Sequence, residues 1–260
     1  MRGDRLIQVK ELTGGYGDST ILERVSFDVY EGEVFVILGG SGCGKSTLLK
    51  HLIGLMQPQS GRITIDGIDI SDGNEEQLNQ VFRKIGVLYQ SGALFGSMTL
   101  FENIAMPILE YTDLPVDLIG KIVGMKLDLV NLGGYENHLP SEISGGMKKR
   151  AGLARAMALS PKILFFDEPS AGLDPVTSAE LDSLILRLNR SLGTTMVIVT
   201  HELQSIFSVA QRVIMLDKTV KGIVAEGDPE YLKKNSRNPF VKRFFNRLAE
   251  DDSQNREDIS

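Results

Sequence analysis

Five apolar residues in succession, Val34-Phe35-Val36-Ile37-Leu38, run directly into Gly39-Gly40-Ser41-Gly42-Cys43-Gly44-Lys45-Ser46-Thr47 and then into Leu48-Leu49. An unbroken apolar run of this length reads as a strand buried on both faces, the habit of parallel strands in α/β sheets. The glycines that follow let several backbone N–H groups curl around one anion, in φ/ψ regions closed to residues with side chains, at the positive end of a helix. Strand, glycine loop and helix are the context in which G-x-x-x-x-G-K-[ST] is a phosphate-binding loop. Lys45 is then placed to bridge the β- and γ-phosphates of a nucleoside triphosphate, and the Ser46 hydroxyl to hold Mg²⁺.

A second run, Ile163-Leu164-Phe165-Phe166, ends in Asp167-Glu168-Pro169 and predicts a buried parallel strand that delivers two carboxylates to its C-terminal edge, where open α/β sheets bind ligands. Asp167 suits Mg²⁺, a hard cation that takes oxygen ligands and keeps several waters. Glu168 is left to orient or deprotonate an attacking water. Two further strand ends carry polar groups. Gln90 follows Ile85-Gly86-Val87-Leu88-Tyr89, so that its amide can touch metal and water, or simply terminate the strand. His201 follows Thr195-Met196-Val197-Ile198-Val199-Thr200, where it can donate to a γ-phosphate as charge develops. Tyr16, in the turn Gly14-Gly15-Tyr16-Gly17-Asp18, offers a ring face to a base, or is an ordinary turn tyrosine. His51 and His138 lack such placement and read as surface or packing residues.

Ile143-Ser144-Gly145-Gly146-Met147, ahead of Lys148-Lys149-Arg150, is a small-residue turn that opens a helix between the phosphate loop and the acidic strand end. The order of these motifs resembles the nucleotide-binding subunit of ABC transporters over roughly residues 5–230. The resemblance implies an α/β fold: a P-loop NTPase (RecA-like) core with an antiparallel β subdomain and an inserted α-helical ABC subdomain. It implies ATP and Mg²⁺ as ligands and ATP hydrolysis as the activity. Tyr16 resembles the adenine-stacking aromatic, Gln90 the glutamine between the two subdomains, Ser170-Ala171-Gly172-Leu173-Asp174 the D-loop and His201 the switch histidine. In the family the Ser-Gly-Gly turn faces away from its own phosphate loop. Ser144, Gly145 and Gly146 are therefore expected to cap ATP held by a second copy, in a homodimer that sandwiches two nucleotides. Met147 departs from the commoner glutamine.

That departure is itself a feature of a narrower group. Gln90-Ser91-Gly92-Ala93-Leu94-Phe95, the stretch from Ser144 to Ala151, and Asn238-Pro239-Phe240-Val241 resemble the ATPase of Mce/Mla-type lipid transport systems. The implied partners are a transmembrane permease, an Mce-domain lipid-binding protein and a small STAS-type subunit. A coupling helix of the permease is expected to dock near Gln90 and the following loop, residues 91–98. The nucleotide motifs do not read cargo, so an importer for amino acids or another small solute stays open. A non-transport ABC ATPase usually carries long insertions or tandem domains that this chain lacks, and a subunit that binds ATP without turnover is disfavoured by Glu168.

The alternation in Val25-Ser26-Phe27-Asp28-Val29 and Arg62-Ile63-Thr64-Ile65-Asp66 predicts half-buried antiparallel strands, and the pattern turns helical from about residue 98 to 158. Strands return at 163–166, 195–199 and 212–216, followed by a hairpin strand at Gly222–Gly227. The expected organisation is one nucleotide-binding domain over residues 1–235 and a C-terminal part over 236–260. In the latter, Phe240, Phe244 and Leu248 share one helical face with Val241 and Phe245 beside it, ahead of a polar acidic tail expected to be disordered. The helix is expected on its own domain, on a partner subunit or on a membrane surface. A net charge of -6 argues against a general nucleic-acid surface. The single cysteine, Cys43, fits a reducing compartment, and its place before a helix predicts a reactive thiol. No apolar run approaches the ~20 residues of a membrane span. The expected location is the cytoplasmic face of the inner membrane, with membrane contact through partners.

Overall fold

The computed structural model describes residues 3–17 and 19–247. In chain order, β1 (Arg5–Tyr16) and β2 (Ser19–Tyr30) form a long hairpin, and β3 (Val34–Gly39) runs through the glycine loop into α1 (Lys45–Leu52). Then come β4 (Ser60–Ile65), β5 (Ile68–Asp69), α2 (Glu75–Phe82) and β6 (Ile85–Leu88). A helical stretch follows: α3 (Leu100–Tyr111), α4 (Val116–Leu129), a 3-10 turn at Pro140–Glu142 and α5 (Gly145–Ala156). The chain closes with β7 (Ile163–Asp167), α6 (Pro175–Leu192), β8 (Thr195–Val199), α7 (Leu203–Val209), β9 (Arg212–Asp217), β10 (Gly222–Gly227), α8 (Pro229–Asn235) and α9 (Pro239–Asn246).

The strands make two sheets. One is antiparallel in the order β2-β1-β4-β5; the other has the order β10-β9-β3-β8-β7-β6, parallel except for β10 at its edge. Alternation along β3 explains how they stack. Phe35 and Ile37 point into a core shared with the antiparallel sheet and α1, while Val34, Val36 and Leu38 point into a second core with the helices beyond. All five residues are fully buried, as the unbroken run requires. Arg212 of β9 ties the layers together, bonding Glu33 and Glu226 and reaching the Asp28 carbonyl of β2.

The helical stretch lies between β6 and β7, within the expected 98–158. Thr99 and Glu102 form a reciprocal capping box that starts α3. Asn103, fully buried, bonds the carbonyls of Phe95, Met98 and Thr99 and accepts from the Phe95 N–H, fixing the loop that leaves Gln90.

Two details differ from the sequence reading. β1 continues through Gly14 and Gly15 to Tyr16, so the chain reverses only beyond it. Gly15 permits this because a Cβ there would lie 1.9 Å from the Ser19 carbonyl oxygen. In α9 the fully buried pair is Val241 and Phe245, with Phe240 and Phe244 half-buried beside them. The Phe245 ring lies 5.7 Å from that of Phe207 in α7, so the helix packs on its own chain. Leu248 and the acidic tail lie outside the described residues.

Candidate nucleotide site

β3, β8, β7 and β6 are consecutive neighbours in one parallel sheet, so their C-terminal ends place four sequence features along one edge. These are the glycine loop, His201, the Asp167-Glu168 pair and Gln90. The loop backbone depends on glycine at three points, where φ is 151° at Gly39, 76° at Gly42 and 99° at Gly44. A Cβ on Gly39 would also lie 2.5 Å from the Leu216 carbonyl oxygen. Lys45 Nζ donates to the carbonyls of Gly39 (2.9 Å) and Gly40 (3.2 Å), which holds the ammonium across the loop. Ser41 and Ser46 are exposed at the helix start, while Thr47 is buried beneath. Phe240 of α9 reaches to 4.0 Å from where a Gly40 Cβ would sit.

Cys43 corrects one expectation. Its side chain is 1% exposed and packs under Gly39. Burial pushes the thiol above its ordinary range, and the neighbouring Lys45 only partly opposes this. Desolvation outweighs the helix terminus, so the thiol is a packing group.

Tyr16 is half exposed, and its hydroxyl accepts a 3.1 Å bond from Lys50 of α1, the main cause that lowers its pKa. The Lys50 ammonium also lies 5.3 Å from the ring centroid, and the two contacts hold the ring beside the phosphate loop. His51 and His138 are indeed packing residues, each with one buried ring nitrogen that has no hydrogen-bond partner among the described residues.

Burial, and then the adjacent Glu168, raise the pKa of Asp167, against the opposing pull of Lys50, Lys45 and Lys149. Glu168 adopts φ 47°, an unusual conformation for a side-chain-bearing residue, pinned by its N–H to the Val199 carbonyl at 2.8 Å. Its Oε1 meets His201 Nδ1 at 2.8 Å. Its Oε2 is buried with no hydrogen-bond partner among the described residues. An orphaned carboxylate oxygen beside a second carboxylate of raised pKa, on the sheet edge that carries the glycine loop, has the chemistry to accept a water proton next to a cation.

Ser144 is the N-cap of α5, accepting from the Met147 N–H at 3.3 Å, and Ser144 and Gly145 are exposed. Gly146 lies against α6, where a Cβ would come 2.6 Å from Thr177 Cγ2. Among the described residues no hydrogen bond joins this turn to the chain's own phosphate loop. Asp174 caps α6: Oδ1 accepts from the N–H groups of Val176 and Thr177, and Oδ2 from the Thr177 hydroxyl. Those bonds hold its carboxyl below the usual range.

Lys149 is a functional residue that the sequence alone does not single out within the Lys148-Lys149-Arg150 run. It is 6% exposed, and its ammonium bonds the carbonyl of Gln90 and lies 3.5 Å from that of Glu168. One side chain of α5 therefore joins the signature helix to both Gln90 and the acidic strand end. Its spacing, one turn past Gly145-Gly146 on the face shared with buried Gly152 and Leu153, was the available signal.

The fold and this edge define a P-loop nucleotide-binding protein. Residues 22–171 match the ABC transporter family model. The chain belongs to the ABC transporter family and is an ATP-binding ATPase of it. It is 44% identical over 228 residues to the Haemophilus influenzae intermembrane phospholipid transport system ATP-binding protein MlaF, covering 87% of this chain and 85% of that one. Against MlaF of Escherichia coli K12 identity is 40%, covering 94% of this chain and 90% of that one. The Mycobacterium leprae probable ribonucleotide transport ATP-binding protein mkl is 48% identical over 92% of this chain. The chain spans only 68% of that protein's length and 66% of the Mycobacterium tuberculosis mkl. Among solved structures, the dimeric ATP-binding cassette MJ0796 bound to ADP and Pi is similar at TM-score 0.77 and 30% identity, over 86% of this chain and 98% of that one.

Proposed function

We propose that this chain is the ATPase subunit of an ABC system that moves phospholipid between envelope membranes. What carries the reading is identity of 40% or more to two MlaF proteins over 85% or more of their length. The Met147-Lys148-Lys149-Arg150 run and the loop after Gln90 add the sequence resemblance noted above. The mkl relatives favour a second reading, ribonucleotide transport, but they are longer proteins of which this chain matches two thirds.

In this reading ATP binds with its base on Tyr16 and its phosphates in the loop from Gly39 to Thr47, with Lys45 neutralising charge. Ser46 and Asp167, with Gln90 alongside, would hold Mg²⁺, which would neutralise charge at the phosphates. Glu168 takes the proton of the attacking water through its free Oε2, and His201 steadies Glu168 through Nδ1; donation from Nε2 toward the γ-phosphate requires the doubly protonated ring.

Ser144, Gly145 and Gly146 present an exposed helix N-terminus to ATP on a second copy, and Asp174 orders the segment that follows Glu168. The dimeric state of the similar cassette supports the sandwich. No helix of the described residues is long and apolar enough to cross a membrane. In this reading a permease supplies the path and holds the subunit at the cytoplasmic face of the inner membrane. An Mce-domain protein and a STAS-type subunit complete the assembly.

The test is affinity purification from detergent-solubilised membranes of the native host, with mass spectrometry of proteins and lipids. A permease with an Mce-domain protein and bound phospholipid is the expected result. A permease with a solute-binding protein and no lipid would overturn it.

A further inference from the structure

Three lysine or arginine side chains are buried among the described residues. Arg212 is paired with Glu33 and Glu226, and Lys149 rests on two carbonyls beside Asp167 and Glu168. Lys126 has no such partner. It lies on α4, 4% exposed, and its ammonium makes one hydrogen bond, to the Ser160 hydroxyl at 2.9 Å. Buried charges are ordinarily matched by a counter-charge or several hydrogen bonds, because desolvation costs more than one neutral contact returns. Burial alone holds this ammonium below its ordinary range, and no carboxylate contributes.

Lys126 and Ser160 line a cavity of about 280 Å³ at the seam between the inserted helices and the sheet, at the strand ends opposite the nucleotide edge. Its remaining wall is largely apolar, with Met157, Pro161, Leu164 and Leu192. Lys162 and Glu31 also line it. The Lys162 ammonium is taken by Asp66 at 3.0 Å, and Glu31, exposed, sets a negative charge against any polyanion. A 150 Å³ cavity holds one benzene ring, so this space suits an organic body of roughly ten heavy atoms.

We propose that this cavity is a binding site for a small monocarboxylic acid with a short apolar body, its carboxylate on Lys126 Nζ and Ser160 Oγ. The ammonium has two donors to spare. The Ser160 oxygen accepts from Lys126, which leaves the hydroxyl proton for the same carboxylate. The apolar wall takes the ligand body. Because α4, the loop before β7 and the loop before β8 all meet here, the ligand would brace the inserted helices against the sheet. The site is independent of the transport reading and does not share residues with the nucleotide edge.

The test uses the full chain labelled with ¹³C-methyl methionine. Sodium octanoate, below its micellar concentration, is titrated while the Met157 methyl signal is followed, with octanamide as the uncharged control. The signal is assigned with Met157→Leu. Wild type should show a saturable shift with octanoate and none with octanamide. Lys126→Met, which keeps length without charge, should weaken binding by at least about tenfold, and Ser160→Ala by a few-fold, as expected for charge-assisted bonds. Replacing an unpaired buried charge by an apolar side chain should leave the fold and basal ATP hydrolysis intact. A Met157 shift that survives Lys126→Met, or that octanamide reproduces, would overturn carboxylate recognition. The absence of any saturable shift in wild type would overturn the site.

Discussion

His201 Nδ1 lies 2.8 Å from Glu168 Oε1, across the gap between the ends of two adjacent parallel strands. With the carboxylate ionised, the bond places the imidazole proton on Nδ1 and turns Nε2 outward, 4.0 Å from Glu202 Oε1. Glu168 is left with one oxygen engaged and one free.

Glu168→Gln keeps an acceptor for His201 but removes the base. ATP hydrolysis should fall by about a hundredfold or more, while ATP binding and the ATP-bound dimer persist. Single-turnover hydrolysis and size-exclusion with light scattering measure both. Unchanged turnover would assign the base elsewhere.

Lys149→Met leaves the Gln90 and Glu168 carbonyls without their buried cation and loosens the signature helix from the site. The expected loss is roughly tenfold or more in kcat, the worth of a hydrogen bond to a charged group, with little change in KM. Lys149→Arg should recover part of it. A rise in KM at constant kcat would show that Lys149 serves binding instead.

Asp182 of α6 is 4% exposed; burial raises its pKa, and a hydrogen bond to Ser205 opposes that only in part. Ser205 lies 3.5 Å from Ser170, two residues past Glu168. A raised pKa means that the folded state holds the proton more tightly than the unfolded chain. The stabilisation is complete below the ordinary value of 3.8 and is lost as pH rises through the folded value. Asp182→Asn mimics the protonated form. Its Tm advantage over wild type should be largest near pH 7.5 and shrink toward pH 4.5. A pH-independent gap would contradict the assignment.

Cys43 should react with N-ethylmaleimide on the order of a hundredfold more slowly in the native protein than in denaturant, as a buried thiol does. Equal rates would mean that the loop opens readily.

Much of the parallel core was legible because three of its strands are largely apolar runs that lead into functional residues. Val34–Leu38, Ile163–Phe166 and Thr195–Val199 needed no tertiary knowledge. What escaped depends on which side of an element faces inward. Lys149 reads as a surface cation until α5 is laid against β6, and Cys43 reads as reactive until Gly39 closes over it. In α9 the Phe240/Phe244 stripe is only half covered, while Val241 and Phe245 are fully buried, because α7 and α8 meet the helix from the adjacent side. Asp174, read as the last residue of the D-loop, also caps α6 with its carboxylate.

The central claim, that ATP hydrolysis by this chain drives phospholipid movement, is tested most directly by reconstituting it with its co-purifying permease in proteoliposomes. ATP-dependent transfer of a labelled phospholipid is measured beside uptake of a labelled ribonucleotide, for wild type and Glu168→Gln. Phospholipid transfer in wild type, lost in the variant and without ribonucleotide uptake, is the predicted result. Robust hydrolysis that moves ribonucleotide and leaves phospholipid in place would contradict it.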